Sequence, residues 1–352
     1  MSDHAEARFL LAVLAERWER TERPIDPQRL LDLCRQTDVA PTVHTLLARA
    51  GHLDRAGTAA GELARLRAKT RMDNVLLLAR LEQALDLLAA RGIGVIALKG
   101  VDVLHRFYSA FDERTLDDVD LLVRRDDRDA AIAALTGAGW LAPDEPERTH
   151  WLRSSYQMPL RSPGPVSVLL EVHWSLGQRL RYRIDTAGLF ARAVPLDVAG
   201  RAILRLDEHD AAAHLLLHHV QHYFDRRLKW VLELLCRVRT PGFSWETLAS
   251  RLRDWDGLGA AGLALAHVLK LFPGSVPAGA VRAIPADPWR LAMTLPLRAT
   301  HPLDFYRGTR RRWVQRWIAA AALERPLDLP AYLRHRAVRD RLDVDEDTDR
   351  VG

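Results

Sequence analysis

The sequence is poor in several things, and each shortage narrows what the chain can be. Two cysteines in 352 residues, Cys34 and Cys236, provide neither a disulfide framework nor a zinc site. A reducing cytoplasm is therefore the simpler setting. No apolar run approaches the roughly 18 residues that a membrane helix needs. The stretch Phe9–Ala15 follows acidic Asp3 and Glu6 and runs into Glu16–Arg20. It lacks the basic start and small-residue cleavage site of a signal peptide, so the expectation is a soluble, cytoplasmic protein without a membrane partner. Lysine is scarce as well. Only four of the 51 basic residues are lysine (Lys69, Lys99, Lys229 and Lys270), so arginine runs carry little information and each lysine carries more. No repeat of solenoid length is present.

Hydrophobic residues make up 48% and charged residues 28%, which excludes a largely disordered chain. The net charge of +5 is too small for this length to indicate nucleic acid by itself. Residues 1–90 read as helices: Phe9, Leu10, Val13, Leu14 and Trp18 recur at spacings of three and four, as do Leu76, Leu77, Leu81, Leu85 and Leu88. Arg91-Gly92 then stops the pattern. Gly94–Leu98 and Asp118–Val123 read as strands, with helices over Val101–Tyr108 and Asp126–Ala138. That βαβα order predicts neighbouring parallel strands. His150–Leu160 and Val166–Trp174 flank a Pro/Gly turn and read as a hairpin. Helical signals resume near Asp207, broken at Thr240–Ser244, Phe272–Pro288 and Pro296–Pro302. The expected fold class is α+β, a small mixed-sheet α/β core between two helical regions. The expected divisions are 1–90, 91–200 and 201–342, with an acidic tail over 343–352.

The chemistry concentrates in Val95–Val123 and in Ser167–Trp174. Alternate strand residues share a face, so Asp118 and Asp120 point the same way. Two buried carboxylates repel unless a cation compensates them, and a pair of hard oxygen ligands suits Mg²⁺. Glu171, alone among apolar neighbours in the second hairpin strand, offers a third carboxylate. A bare D-x-D is more often a strand-end pair meeting water or arginine. The ordered set, with Lys99-Gly100 closing one strand, D-x-D opening the next and Glu171 in a later hairpin, shifts the balance towards a site. His173 lies two residues beyond Glu171 and shares its face. It can orient that carboxylate, contact a base or be a satisfied core histidine. His214, His218 and His222 lie four apart on one helix face, without the acidic companion of a zincin motif. Phe305–Trp317 mixes aromatics with five arginines. It reads either as a stacking surface for a polyanion or as an amphipathic helix with Trp313 and Trp317 buried.

Together, Lys99-Gly100, Arg114, Asp118-Val119-Asp120, Glu171-Val172-His173-Trp174 and the later segment His218–Val238 resemble the uncharacterised nucleotidyltransferases of the polymerase-beta-like superfamily. The resemblance spans Asp73–Val238. Two features depart from the common pattern: Lys99-Gly100 stands where the wider superfamily has Gly-Ser or Gly-Gly, with a longer gap to the D-x-D, and Glu233 stands where this branch often carries Asp. The resemblance implies an ATP-type NTP as co-substrate, held by Mg²⁺ (or Mn²⁺) on Asp118, Asp120 and Glu171. Glu171 would draw the proton from an acceptor hydroxyl. It implies Lys99, Gly100, Arg114, His173, His218 and Lys229 as nucleotide-binding residues. The acceptor, a small molecule, peptide or protein, is not readable here, and nucleic acid is less favoured. Two other readings stand beside this one: an RNA-directed nucleotidyltransferase, and a non-catalytic nucleotide-binding scaffold with a degenerate site.

Overall fold

A computed structural model of the chain describes residues 4–20, 25–224, 227–295, 303, 312–325 and 329–334. Four helices come first: α1 (His4–Leu14), α2 (Pro27–Gln36), α3 (Ala40–Arg49) and the 31-residue α4 (Ala59–Ala89). Asp26 caps α2 by accepting from the Gln28 and Arg29 amides, and Pro27 occupies the first turn, where no amide hydrogen is needed. The two halves of α4 serve different cores. Ala59 and Leu63 pack with α1–α3, whereas Leu77, Leu81, Leu85 and Leu88 pack on the sheet.

The six strands are β1 (Val95–Ala97), β2 (Asp118–Val123), β3 (Gln157–Arg161), β4 (Leu169–His173), β5 (Val194–Val198) and β6 (Arg201–Arg205). They form one mixed sheet in the order β3-β4-β2-β1-β6-β5. With helices on both sides, this is the α+β class expected. Helices α5 (Lys99–Phe107), α6 (Arg128–Gly137), α7 (Glu147–Ser154) and α8 (Thr186–Arg192) lie between strands. Strand β2 occupies the span read from the sequence, and β3 and β4 pair antiparallel as a hairpin.

Two expectations need correction. Strands β1 and β2 are antiparallel, with Val95 opposite Val123 and Ala97 opposite Leu121. The 108–117 loop after α5 returns the chain to the sheet end where β1 finished, so β2 runs back along it. The parallel neighbours are instead β1 with β6 and β2 with β4. His150–Ser154 belongs to α7 and not to the first hairpin arm. Strand β6 begins at Arg201.

Strand alternation sorts the sheet into two faces. Val95, Ala97, Val119, Leu121, Val123, Leu170 and Val172 turn towards α4 and α6. Ile96, Leu98 and Leu122 turn the other way, into the core shared with the later helices. Those helices are α9 (Glu208–Gln221), α10 (Leu228–Val238), α11 (Trp245–Asp254), α12 (Leu258–Leu271), α13 (Ala278–Ala283), α14 (Pro288–Met293) and α15 (Arg312–Ala322). The Thr240–Ser244 break separates α10 from α11, and α13 sits inside the Phe272–Pro288 stretch. Pro296–Pro302 and the 343–352 tail lie outside the described residues. In α15 the buried stripe is Val314 and Ile318, spaced by one helical turn, while Trp313 and Trp317 are 62% and 48% exposed. The buried positions expected for those tryptophans are thus taken by aliphatic residues. Among the described residues no helix is long and apolar enough to cross a membrane.

Helix α9 is buried on nearly every side, and its cap is Asp207, which accepts from the His209 and Asp210 amides at 2.8 Å. Its His219 stacks on His267 of α12, with Nε2 and Nδ1 2.9 Å apart. Burial, then the neighbouring His267, holds the His219 pKa well below its ordinary 6.5. The unfolded chain therefore takes up this proton before the folded one. The contribution of His219 is complete above about pH 6.5 and is lost as the pH falls, by at most about 1.4 kcal/mol per pH unit. Urea unfolding between pH 7.5 and 5.5 should show this loss, and the slope should be shallower in His219→Gln. Equal slopes would remove His219 as its source.

Candidate active site

The second sheet face carries the polar residues. In β2 these are Asp118 and Asp120, and in β4 they are Glu171 and His173, because each pair is two residues apart. Strands β2 and β4 are parallel and in register, with Asp120 opposite Glu171 and Leu122 opposite His173. One ligand atom each from Asp120, Glu171 and His173 lies within 4.8 Å of the others. The His173 Nε2 is 2.9 Å from Asp120 Oδ1 and 3.4 Å from Glu171 Oε2. Asp118 is half-buried on the same face, one step towards the strand start.

Lys99 enters from β1. Because β1 and β2 are antiparallel, the end of one lies beside the start of the other, and the Leu98 amide donates to the Asp120 carbonyl at 3.0 Å. Lys99 then turns with φ +38°, a left-handed conformation unfavourable for a side-chain-bearing residue. Its Nζ donates to Asp120 Oδ1 at 3.0 Å. At Gly100 an added Cβ would stand 2.7 Å from the Arg114 guanidinium and 2.8 Å from Leu116, so a side chain here would force both to shift.

The charges are mutually dependent. Burial works against the Lys99 ammonium, but Asp120, Asp118 and Glu171 outweigh it and raise the lysine pKa. Burial likewise disfavours the Asp120 carboxylate, yet Lys99 and His173 hold it well below its ordinary value. Burial, reinforced by Asp120 and Asp118, pushes Glu171 up to about 7 despite its contact with His173. For His173 the hydrogen bonds to both carboxylates overcome burial and raise the pKa. Helix α9 covers this face with His214 and His218. Burial, then the positive charge of Lys99, keeps both well below the usual histidine range and so neutral.

The other expected binding residues are engaged in contacts within the protein. Arg114 is buried, and its Nε and Nη2 donate to Glu233 Oε1 at 2.9 and 2.5 Å, while Nη1 donates to the Thr115 carbonyl at 2.7 Å. Lys229 is buried between Asp38, to which it pairs, and Asp117 Oδ2 at 2.7 Å. His218 packs edge-on to Trp230 with ring centroids 4.5 Å apart and lies 4.2 Å from the His222 ring. His214 meets His218 edge-on, with ring centroids 5.8 Å apart, so the three histidines form a row of tilted rings. Among the described residues the cluster able to hold a metal is Asp120, Glu171 and His173.

His173, expected from the sequence to orient Glu171 or bind nucleotide, also stands within the possible donor set. Sequence reading missed one residue here. Asn74, fully buried in α4, donates to the Phe111 and Arg114 carbonyls at 2.6 and 2.7 Å and accepts from the Leu116 amide at 3.0 Å. It thereby pins the loop that delivers β2. Its only signal was an amide beside Thr70 in a mostly apolar stripe.

A family model described as uncharacterised nucleotidyltransferase matches residues 23–273. The chain belongs to this family. The matched span contains all six strands and every residue of the candidate site. No curated protein matches the chain. Among solved structures, an antigenic nucleotidyltransferase-like protein from Paracoccidioides brasiliensis aligns with 61% of this chain and 94% of its own, at 11% identity and a TM-score of 0.34.

In this family member the Arg114–Glu233 pair ties the loop before β2 to α10. Arg114→Met would strand a carboxylate that has no exposed surface, at a cost of about 3–5 kcal/mol. Arg114→Met/Glu233→Leu should recover most of that loss in chemical denaturation. A double variant no more stable than the single would show that Glu233 is compensated elsewhere.

Proposed function

We propose that the chain is a nucleotidyltransferase that moves a nucleoside monophosphate from an NTP, such as ATP, to a hydroxyl of a small-molecule, peptide or protein acceptor. The observation that carries this reading is the in-register pairing of Asp120 and Glu171 on adjacent parallel strands, with His173 in reach of both. The donor set fits a divalent cation. Two carboxylates suit Mg²⁺, and the imidazole extends the range to Mn²⁺. The crowding of three carboxylates on one buried face also favours a positive ion there. Asp120 and Glu171 would hold it, with Asp118 alongside. Such an ion supplies positive charge against the triphosphate and the developing pyrophosphate.

The chain's own residues would divide the remaining work. Lys99 places a point charge beside the carboxylates and the start of α5, where the first amides of the helix face an anion. Glu171 would take the hydroxyl proton. The acceptor oxygen would bond to the α-phosphorus as the bond from that phosphorus to the α,β-bridging oxygen breaks, and pyrophosphate would leave with the bonding pair. His173 would keep Asp120 and Glu171 oriented through its contact with both. Arg114 and Lys229 hold the 108–117 loop and Asp117 in this reading, and leave the phosphates to Lys99. Cytoplasmic placement is supported by Cys34 and Cys236, which are both unpaired.

Differential scanning fluorimetry with each NTP, with and without Mg²⁺ or Mn²⁺, tests the proposal on wild type and Asp120→Asn/Glu171→Gln. Ligand at a hundred times its Kd adds about 2.7 kcal/mol. Stabilisation should require metal and NTP together and vanish in the variant. Nucleotide binding that ignores both the metal and the substitutions would replace this reading with the non-catalytic one.

A further inference from the structure

Beside the carboxylate face, on its β4 side, lies a cavity of about 670 Å³ for which the reading above has no use. It adjoins the candidate site. Tyr156 lines it, with its ring centroid 5.9 Å from that of His173, and Ser175 lines it two residues beyond His173. Four arginines also face it: Arg125 beyond β2, Arg179 and Arg183 beyond β4, and Arg325 beyond α15. Asp185 is the single acid among the lining residues. Arg183 and Arg325 share Asp256, at 3.2 and 3.5 Å. Among the described residues neither Arg125 nor Arg179 has a carboxylate partner, and both are exposed.

A second observation lies next to the cavity, in its lining residue Tyr182 and the adjacent Arg181. Arg181 is 4% exposed, and its guanidinium carbon lies 5.4 Å from the Tyr182 ring and 5.9 Å from the Tyr332 ring. Its Nε and Nη2 are buried without a hydrogen-bond partner, as is the Tyr182 hydroxyl. A buried guanidinium with no carboxylate is costly, and its uncompensated field favours an anion in the adjoining space.

The strand order assigns the cavity a side. Lys99 follows β1, on one flank of the central Asp120–Glu171 pair, whereas Tyr156 and Arg179 belong to the β3–β4 flank. An in-line displacement at phosphorus needs its attacking and leaving oxygens on opposite sides. With the triphosphate at Lys99, the attacking hydroxyl arrives from the β3–β4 flank.

We propose that this cavity is the acceptor subsite and that it selects a small acceptor carrying a phosphate or carboxylate beside its hydroxyl. The assignment rests on the nucleotidyltransferase reading. A volume of about 670 Å³ falls within the range of small-molecule pockets, and the charge calls for an anion.

Isothermal titration with glycerol 2-phosphate, glycerate and neutral glycerol tests it, using wild type, Arg125→Ala/Arg179→Ala and Asp120→Asn/Glu171→Gln. Both arginines are exposed, so the first variant should melt with wild type in the absence of ligand. One anionic probe should bind wild type and the carboxylate variant, and bind the arginine variant roughly tenfold more weakly or worse, since charge-assisted contacts are lost. Which probe binds tells phosphate from carboxylate, and glycerol should not bind. Binding of NTP with metal should survive in the arginine variant. Several results would overturn the assignment: no binding of either anion by wild type, equal binding by the arginine variant, or NTP binding lost with the arginines, which would make the cavity part of the nucleotide site. A short single-stranded RNA that binds wild type through these arginines while both small anions fail would likewise overturn it. Failure of the underlying reading looks different, as NTP binding indifferent to Asp120→Asn/Glu171→Gln, and it would remove the acceptor assignment as well.

Discussion

Packing Asp120 against Glu171 across two buried strands is the constraint on which the other features of the site depend. In a low-dielectric interior, two carboxylates with Asp118 nearby cannot all remain ionised without positive charge. The chain meets this with one ammonium and one imidazole, and each depends on a particular strand relation. The antiparallel β1–β2 pair brings Lys99 beside Asp120. The parallel, in-register β2–β4 pair puts Glu171 opposite Asp120 and His173 opposite Leu122. Helix α9 closes the face with histidines kept neutral by burial and by Lys99, and so adds no charge to a balance already set.

Around this centre, several long-range polar contacts converge on one short piece of chain. The 108–117 loop is clamped by Asn74 from α4, by Glu233 of α10 through Arg114, and by Lys229 through Asp117 and Thr115. The partners come from positions 74, 229 and 233, so the site assembles only when the early helices, the sheet and the later helices have docked together. The start of β2, and hence Asp118 and Asp120, is fixed by side chains far away in sequence. Buried hydrogen bonds and ion pairs suit this role because breaking one leaves its partner unsatisfied.

The candidate site was legible where its logic is local. Asp118 and Asp120 could be placed on one face because strand alternation has a period of two, and Glu171 and His173 for the same reason. Arg114 and Lys229 show the opposite case, since their ion pairs are formed with distant residues. A cation near an acidic motif looks like a ligand for phosphate until its carboxylate partner is known, and Glu233 and Asp38 are 119 and 191 residues distant. Trp313 and Trp317 illustrate a related ambiguity. Helical spacing identifies a stripe, but Val314 and Ile318 have the same spacing, and only the shape of the surface under α15 decides which pair is buried.

Composition and periodicity alone determined the α+β class, the limits of β2, the hairpin and the grouping of acidic residues, since each follows from side-chain chemistry within a few neighbouring residues. Tertiary structure decided the direction of β1 against β2, the recruitment of His173, the internal use of Arg114 and Lys229, and the burial of Arg181 beside an arginine-lined cavity. These depend on contacts between distant segments, where geometry and desolvation set the energy and the local sequence carries no record of the partner.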